Sequence, residues 1–118
     1  MNFGIKRILK AFVYSYDGFK SGLKNETAFL QEVCLAIFLT ILAFFLDVSG
    51  LERALMLASV YFILIVELLN SALEAVVDRI SLERHELSKR AKDYGSLAVL
   101  IAIINCALIW IAILSKGE

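Results

Sequence analysis

Apolar residues near the start of the chain recur at Ile5, Ile8, Leu9, Phe12, Val13, Tyr16, Phe19 and Leu23, a helical spacing that builds one continuous stripe. Lys6, Lys10, Asp17, Lys20 and Lys24 occupy the other face. A basic amphipathic helix with an aromatic-rich apolar side suits the plane of a membrane interface, and one is expected over about residues 4–23. Three longer apolar runs follow. The first is expected as a span over about 27–47; its uncharged part, Val33 to Leu46, is short for a bilayer, so it crosses only if Ala28 and Phe29 join it and Gln31 and Glu32 face protein. Asp47, Ser49 and Gly50 then read as a tight turn. A second span is expected over about 52–79, a polar loop over Arg79 to Asp93, and a third span over about 93–115. Tyr94 to Ser115 carries no charge and is about 22 residues long, enough to cross with some tilt. Its main polar interruption, Asn105, is expected to bond a neighbouring helix.

Composition agrees with that pattern. In 118 residues, 60% are hydrophobic and proline is absent, more apolar side chain than so small a globule can hide. The fold class is therefore an all-α membrane protein of one domain, with three transmembrane helices and an N-terminal interfacial helix. Cys34 and Cys106 lie far apart in apolar runs and read as reduced, buried cysteines. The start of the chain is not expected to be a cleaved signal, because Lys6, Arg7 and Lys10 interrupt its apolar residues.

The twelve basic and twelve acidic residues cancel, but their placement does not. Lys6, Arg7, Lys10, Lys20 and Lys24 precede the first span, and Arg79, Arg84, Lys89, Arg90 and Lys92 lie between the second and third; only Arg53 and Lys116 fall on the opposite side. The positive-inside rule then predicts a cytoplasmic N-terminus and an outside C-terminus. Because the basic residues lie beside spans, no nucleic-acid partner is expected.

Chemistry concentrates in Glu67-Leu-Leu-Asn70-Ser71-Ala-Leu-Glu74-Ala-Val-Val-Asp78-Arg79. On a helix Glu67, Glu74 and Asp78 fall within about 40° of one another, with Asn70 beside them and Glu67 roughly 10 Å from Glu74 along the axis. Ionisable residues inside a span are costly unless they face protein or water. The stripe therefore reads as a functional face, although polar bonds to neighbouring helices would use the same residues. The segment Glu83 to Asp93 crowds cations, carboxylates and His85 beside it, suited to phosphate oxygens and Mg2+ or simply to solvent. The soluble phosphate-loop motif GxxxxGK[ST] is absent. The residues alone lead to an interfacial membrane protein with an acidic site, either a catalyst or a proton or ion path.

The long motif just quoted, with His85-Glu86-Leu-Ser88 and Arg90-Ala-Lys92-Asp93-Tyr-Gly95-Ser96, strongly resembles the bacterial diacylglycerol kinase family. The similarity extends to Asn25-Glu26-Thr-Ala-Phe29, Gln31-Glu32, Arg7 and Tyr14, and so covers nearly the whole chain. It implies an inner-membrane homotrimer with active sites between subunits, transferring the γ-phosphate of ATP to the primary hydroxyl of diacylglycerol with Mg2+ as cofactor. Carried over by residue, the resemblance makes Glu67 the general base and Glu26 and Glu74 the metal carboxylates. It makes Arg7, Tyr14, Glu26, Glu74, Glu83, Arg84, His85, Lys92 and Asp93 the nucleotide contacts. Arg7, Ala28, Glu32, Arg53, Glu67, Asn70 and Ser96 become the lipid-substrate residues. Ser81-Leu82, Arg84 and Lys89 depart from the family pattern, which often has Gly-Ser, an aromatic and a small residue there. Undecaprenol is the alternative lipid acceptor, and a small proton- or ion-conducting oligomer is the alternative outside enzymology.

Overall fold

The computed structural model describes residues 2–116, with side chains from Gly4 onward. Four helices follow one another: α1 (Asn2–Asn25), α2 (Thr27–Phe45), α3 (Gly50–Ile80) and α4 (Glu86–Leu114). The last three are long and apolar enough to cross a membrane. Most of their large apolar side chains point outward: Ile37, Phe38, Phe44, Phe62, Ile65, Leu100, Ile104 and Ile111 are all exposed on the chain. Such a surface is the inverse of a water-soluble domain and fits lipid as its solvent.

The polarity of the interior decides where chemistry is possible. α3 packs between α2 and α4, antiparallel to both, and its contact with α4 is the more extensive. On α4 the stripe that faces α3 is made of small residues, Gly95, Ala102 and Cys106, which let the two backbones approach closely. The register is fixed by specific contacts. Trp110 Nε1 donates to the carbonyl of Met56 at 3.2 Å, and Ser59 Oγ donates to the same carbonyl at 2.7 Å and lies 3.4 Å from Cys106 Sγ. Toward α2, the hydroxyls of Thr40 and Tyr61 meet at 2.8 Å. Ala36, Ala43, Met56, Val60, Cys106 and Trp110 form the dry core, which lies toward the α2–α3 turn. The other half of the bundle, toward the basic residues, is polar inside.

The α2–α3 turn is held by side chains. Ser49 and Glu52 form a capping box, with Ser49 N–H donating to Glu52 Oε1 at 2.8 Å and Glu52 N–H donating to Ser49 Oγ at 3.1 Å. Gly50, expected within the turn, is the first helical residue; the capping box makes Ser49 the boundary. Glu52 also pairs with Lys116 at the end of α4. Arg53 Nε donates to the Ala43 carbonyl at 2.9 Å, and its Nη2 donates to those of Leu46 and Val48 at 3.1 and 3.3 Å. One guanidinium thus takes the Ala43 carbonyl near the end of α2 and ties it to the Leu46 and Val48 carbonyls of the following turn.

At the opposite end, α1 and α2 are separated by Glu26 alone. Its extended backbone (φ −119°, ψ 100°) turns the chain while the Glu26 N–H still bonds the Gly22 carbonyl at 3.0 Å and its own carbonyl accepts from Leu30 N–H at 3.1 Å. The bend is locked by Phe29, which is 2% exposed and packs edge-on to Phe19 at 6.1 Å between ring centroids. Its ring lies so close to Gly22 that a Cβ there would come within 2.8 Å of it. The molecule measures 53 × 45 × 25 Å, too broad in its second dimension for a bare three-helix bundle, so α1 reaches sideways. Its Ile5, Ile8, Leu9, Phe12 and Val13 remain exposed, as an interfacial helix requires.

Three expectations are corrected. Cys34, expected to be buried like Cys106, is exposed on α2, and only Cys106 is buried. The polar stretch Arg79 to Asp93, expected as loop, is helical at both ends: α3 runs through Ile80 and α4 begins at Glu86, leaving five residues between them. His85 makes that early start possible, because its Nδ1 accepts the Leu87 N–H at 3.0 Å as an N-cap. Asn105 is exposed on the outer surface of α4, since the small-residue stripe that meets α3 lies on another face.

Candidate functional site

Two groups of polar residues gather at the basic end, both set by the helix register. The first is a carboxylate cluster between α2 and α3. Glu67 sits on the buried seam of α3 and is only 8% exposed. Glu32 on α2, Glu74 and Glu26 are near enough for their charges to act on it, and Glu32 Oε2 is buried without a hydrogen-bond partner. Thr40 opposite Tyr61 and Glu32 opposite Glu67 define one antiparallel register, which carried toward the start of α2 brings Glu26 level with Glu74. Bending the chain at Glu26 therefore does more than join two helices. It delivers a carboxylate to the foot of the bundle.

The side chain of Glu26 is not spent on its own helix. It is the N-cap residue of α2, but it makes no capping hydrogen bond. Glu74 accepts only a long 3.5 Å contact from Asn70 Nδ2. These two carboxylates are thus available to an outside cation. Among the described residues no three His, Cys, Asp or Glu side chains converge as a ready-made metal cage. Two carboxylates without a cage fit Mg2+, which keeps several waters and takes substrate phosphates as ligands.

The second group lines a cleft of about 550 Å3 in the α3–α4 hairpin. Glu83, Arg84, His85, Lys92 and Asp93, all singled out from the sequence, contribute to it, together with Asp78. Two of its cations, Lys92 and Lys89, are held by carboxylates of the same chain. Lys92 Nζ bonds Asp78 Oδ1 across the hairpin at 2.8 Å, and Lys89 Nζ bonds Asp93 Oδ2 at 2.7 Å one turn away on α4. Asp78 belongs to the acidic stripe by spacing, but its pairing with Lys92 needs the hairpin geometry. The Lys89–Asp93 pair was legible as an i,i+4 spacing. Ser88 also faces the cleft and carried no signal beyond the motif it sits in.

The remaining sequence-derived residues are more dispersed. Arg7 and Tyr14 share a hollow along α1 with Lys6 and Lys10, separate from the hairpin cleft. Ala28 is exposed in the first turn of α2, and Ser96 is exposed beside Gly95 on α4. Asn70 faces α4, with its Oδ1 buried and without a hydrogen-bond partner. Arg53 lies at the far end of α3, roughly 20 Å from Glu67 by helix rise, occupied with the α2 carbonyls. One chain therefore assembles the carboxylates and the cleft, and it leaves Arg7, Tyr14 and Arg53 apart from them.

Comparison with known proteins follows the same lines. The family described as prokaryotic diacylglycerol kinase matches residues 13–114. A Pseudomonas aeruginosa protein named diacylglycerol kinase is 55% identical over 111 residues, covering 94% of this chain and 90% of that relative. The Escherichia coli K12 protein of the same name is 50% identical over 111 residues, covering 94% and 91%. One from Haemophilus influenzae is 50% identical and is covered over 94% of both chains. With matches this long and close, the chain is a multi-pass membrane enzyme that belongs to the prokaryotic diacylglycerol kinase family.

Proposed function

We propose that this protein transfers the γ-phosphate of ATP to the primary hydroxyl of diacylglycerol at the cytoplasmic face of the bacterial inner membrane, giving phosphatidic acid and ADP. The observation that carries the reading is the burial of Glu67 within a helix long and apolar enough to span a membrane, beside further carboxylates and near a cation-lined cleft. A charge kept inside a span needs a use, and a lipid hydroxyl at headgroup depth supplies one.

In this reading Glu67 accepts the hydroxyl proton as the lipid oxygen attacks the γ-phosphorus. The bond from the γ-phosphorus to the β–γ bridging oxygen breaks, and ADP leaves. Phosphoryl transfer asks mainly for positioning and for charge neutralisation, which side chains of this fold can provide. Glu26 and Glu74 would hold Mg2+, whose charge offsets that of the phosphate oxygens. Lys92, Arg84 and His85 at the cleft, with Glu83 and Asp93, contact the nucleotide, and Arg7 and Tyr14 complete its binding. Asn70, Glu32, Ala28, Ser96 and Arg7 line the path of the lipid, whereas Arg53, expected with them, is held at the far end of α3 by the Ala43, Leu46 and Val48 carbonyls. The separation of Arg7 and Tyr14 from the cleft within one chain is the reason to expect the homotrimer, with sites built between subunits.

Orientation follows from charge: the basic end, with Lys20, Lys24, Arg79 and Arg84, is cytoplasmic, and the Arg53–Lys116 end is outside. The direct test presents purified protein with labelled ATP and either diacylglycerol or undecaprenol in mixed micelles. Labelled phosphatidic acid is expected. Label in undecaprenol alone would replace the acceptor, and ion flux in liposomes with no ATP consumed would replace the enzyme with a conducting oligomer.

A further inference from the structure

Asn70 presents a problem that its own helix does not solve. Its Oδ1 is buried with no hydrogen-bond partner, although burying an unbonded amide oxygen costs on the order of 1–3 kcal/mol. Across the α3–α4 interface stands Gly95, buried on the small-residue stripe of α4. A Cβ built on Gly95 would collide with Asn70 Oδ1 and come within 3.0 Å of Asn70 Cγ. The oxygen therefore fills the place of the missing side chain and faces the glycine Cα–H, a weak contact that recurs where helices pack closely. The other end of the amide is then aimed the opposite way: Nδ2 points along α3 to Glu74 Oε1, 3.5 Å away. Asn70 also follows Glu67 by one turn on the same face.

We propose that Gly95 is a positioning residue for phosphoryl transfer: the space it leaves open seats the Asn70 carbonyl, and that seat turns the Asn70 amide toward the Glu67–Glu74 face. The proposal rests on the kinase reading of that face. Gly95 touches no reacting atom. It acts through Asn70, and any side chain at position 95 pushes the amide out of line. Gly50 and Gly18 have open space around them and carry no such constraint.

The test is a double-mutant cycle on the purified kinase in micelles, with kcat, the ATP KM and thermal unfolding measured for each variant. Gly95→Ala is expected to lower kcat about tenfold or more, as small misplacements near a reacting centre do, with the ATP KM within about twofold of the parent. Asn70→Ala should lower kcat similarly. The double variant should be no slower than Asn70→Ala alone, within about twofold, because the alanine methyl then meets only Leu73 Cδ2 at an ordinary packing distance of 3.5 Å. If Gly95→Ala fails to fold, the double variant decides: folding restored by removing the Asn70 amide supports the contact, and no restoration overturns it. Losses that add in the double variant would show that Gly95 acts elsewhere in the packing and would overturn the proposal. Full activity of Asn70→Ala would also overturn it, by removing the group through which Gly95 works. Glu67→Gln reports separately on the kinase reading: parental turnover in that variant would sink the base while the cycle still reads the Gly95–Asn70 contact.

Discussion

Lys92 and Asp78 face each other across the α3–α4 hairpin, Nζ to Oδ1 at 2.8 Å, and both side chains remain about half exposed. An ion pair in that setting adds at most about 1 kcal/mol to stability. Its value is positional, because it holds a cation over the cleft where the nucleotide is proposed to sit. Lys92→Ala is expected to raise the ATP KM about tenfold through the loss of one charge-assisted contact, with a thermal midpoint close to the parent. Asp78→Asn, which frees the lysine, should not raise it. Steady-state kinetics with varied ATP check both. An unchanged KM in Lys92→Ala would remove this residue from the nucleotide site.

Glu26 and Glu74, proposed for the metal, are each left without a strong partner. Glu74→Gln is accordingly expected to shift the Mg2+ titration of activity to higher concentration while the protein stays folded. Direct Mn2+ binding, followed by its paramagnetic signal in the presence of nucleotide, should weaken in parallel. A Mg2+ titration identical to the parent's would assign the metal elsewhere.

At the other end of the bundle Arg53 is a structural fastener. Its three hydrogen bonds reach carbonyls of Ala43, Leu46 and Val48, and its guanidinium stacks 5.5 Å from the Phe44 ring. Arg53→Ala should destabilise the protein by about 1.5–3 kcal/mol, the range for a hydrogen-bonded charge. Unfolding in detergent, followed by circular dichroism, measures this, and Arg53→Lys should recover only part of the loss because it lacks the planar fork.

The bend at Glu26 depends on Phe29. Phe29→Ala is expected to cost about 3–5 kcal/mol and to release α1 from α2. Protease sensitivity near Asn25 in micelles is the readout. A variant as resistant as the parent would mean that α1 is held by something else.

How much of this could be read from the chain alone varies with the kind of signal. The stripe of α1 and the uncharged run from Tyr94 to Ser115 are local periodicities, visible without knowing the fold. The face shared by Glu67, Glu74 and Asp78 is likewise a matter of spacing. The early start of α4 was hidden because Glu86 to Asp93 is polar enough to pass for loop, and because a histidine cap is an uncommon signal. The polar half of the bundle was legible only on α3. Glu32 opposite Glu67, Asn70 against Gly95 and Arg53 on the α2 carbonyls all depend on the register between helices, which no single segment encodes. Glu26 became a site residue at first through resemblance, and the bend that places it is a tertiary feature.

In the proposed mechanism Glu67 removes the proton from the lipid hydroxyl. The most direct test of that step is labelled phosphate transfer from ATP to diacylglycerol by Glu67→Gln, beside equilibrium binding of ATP to the same variant. A general base contributes about 10²–10⁴-fold, so turnover should fall by at least that much while ATP binding largely survives. Near-parental phosphatidic acid formation by Glu67→Gln would contradict the account.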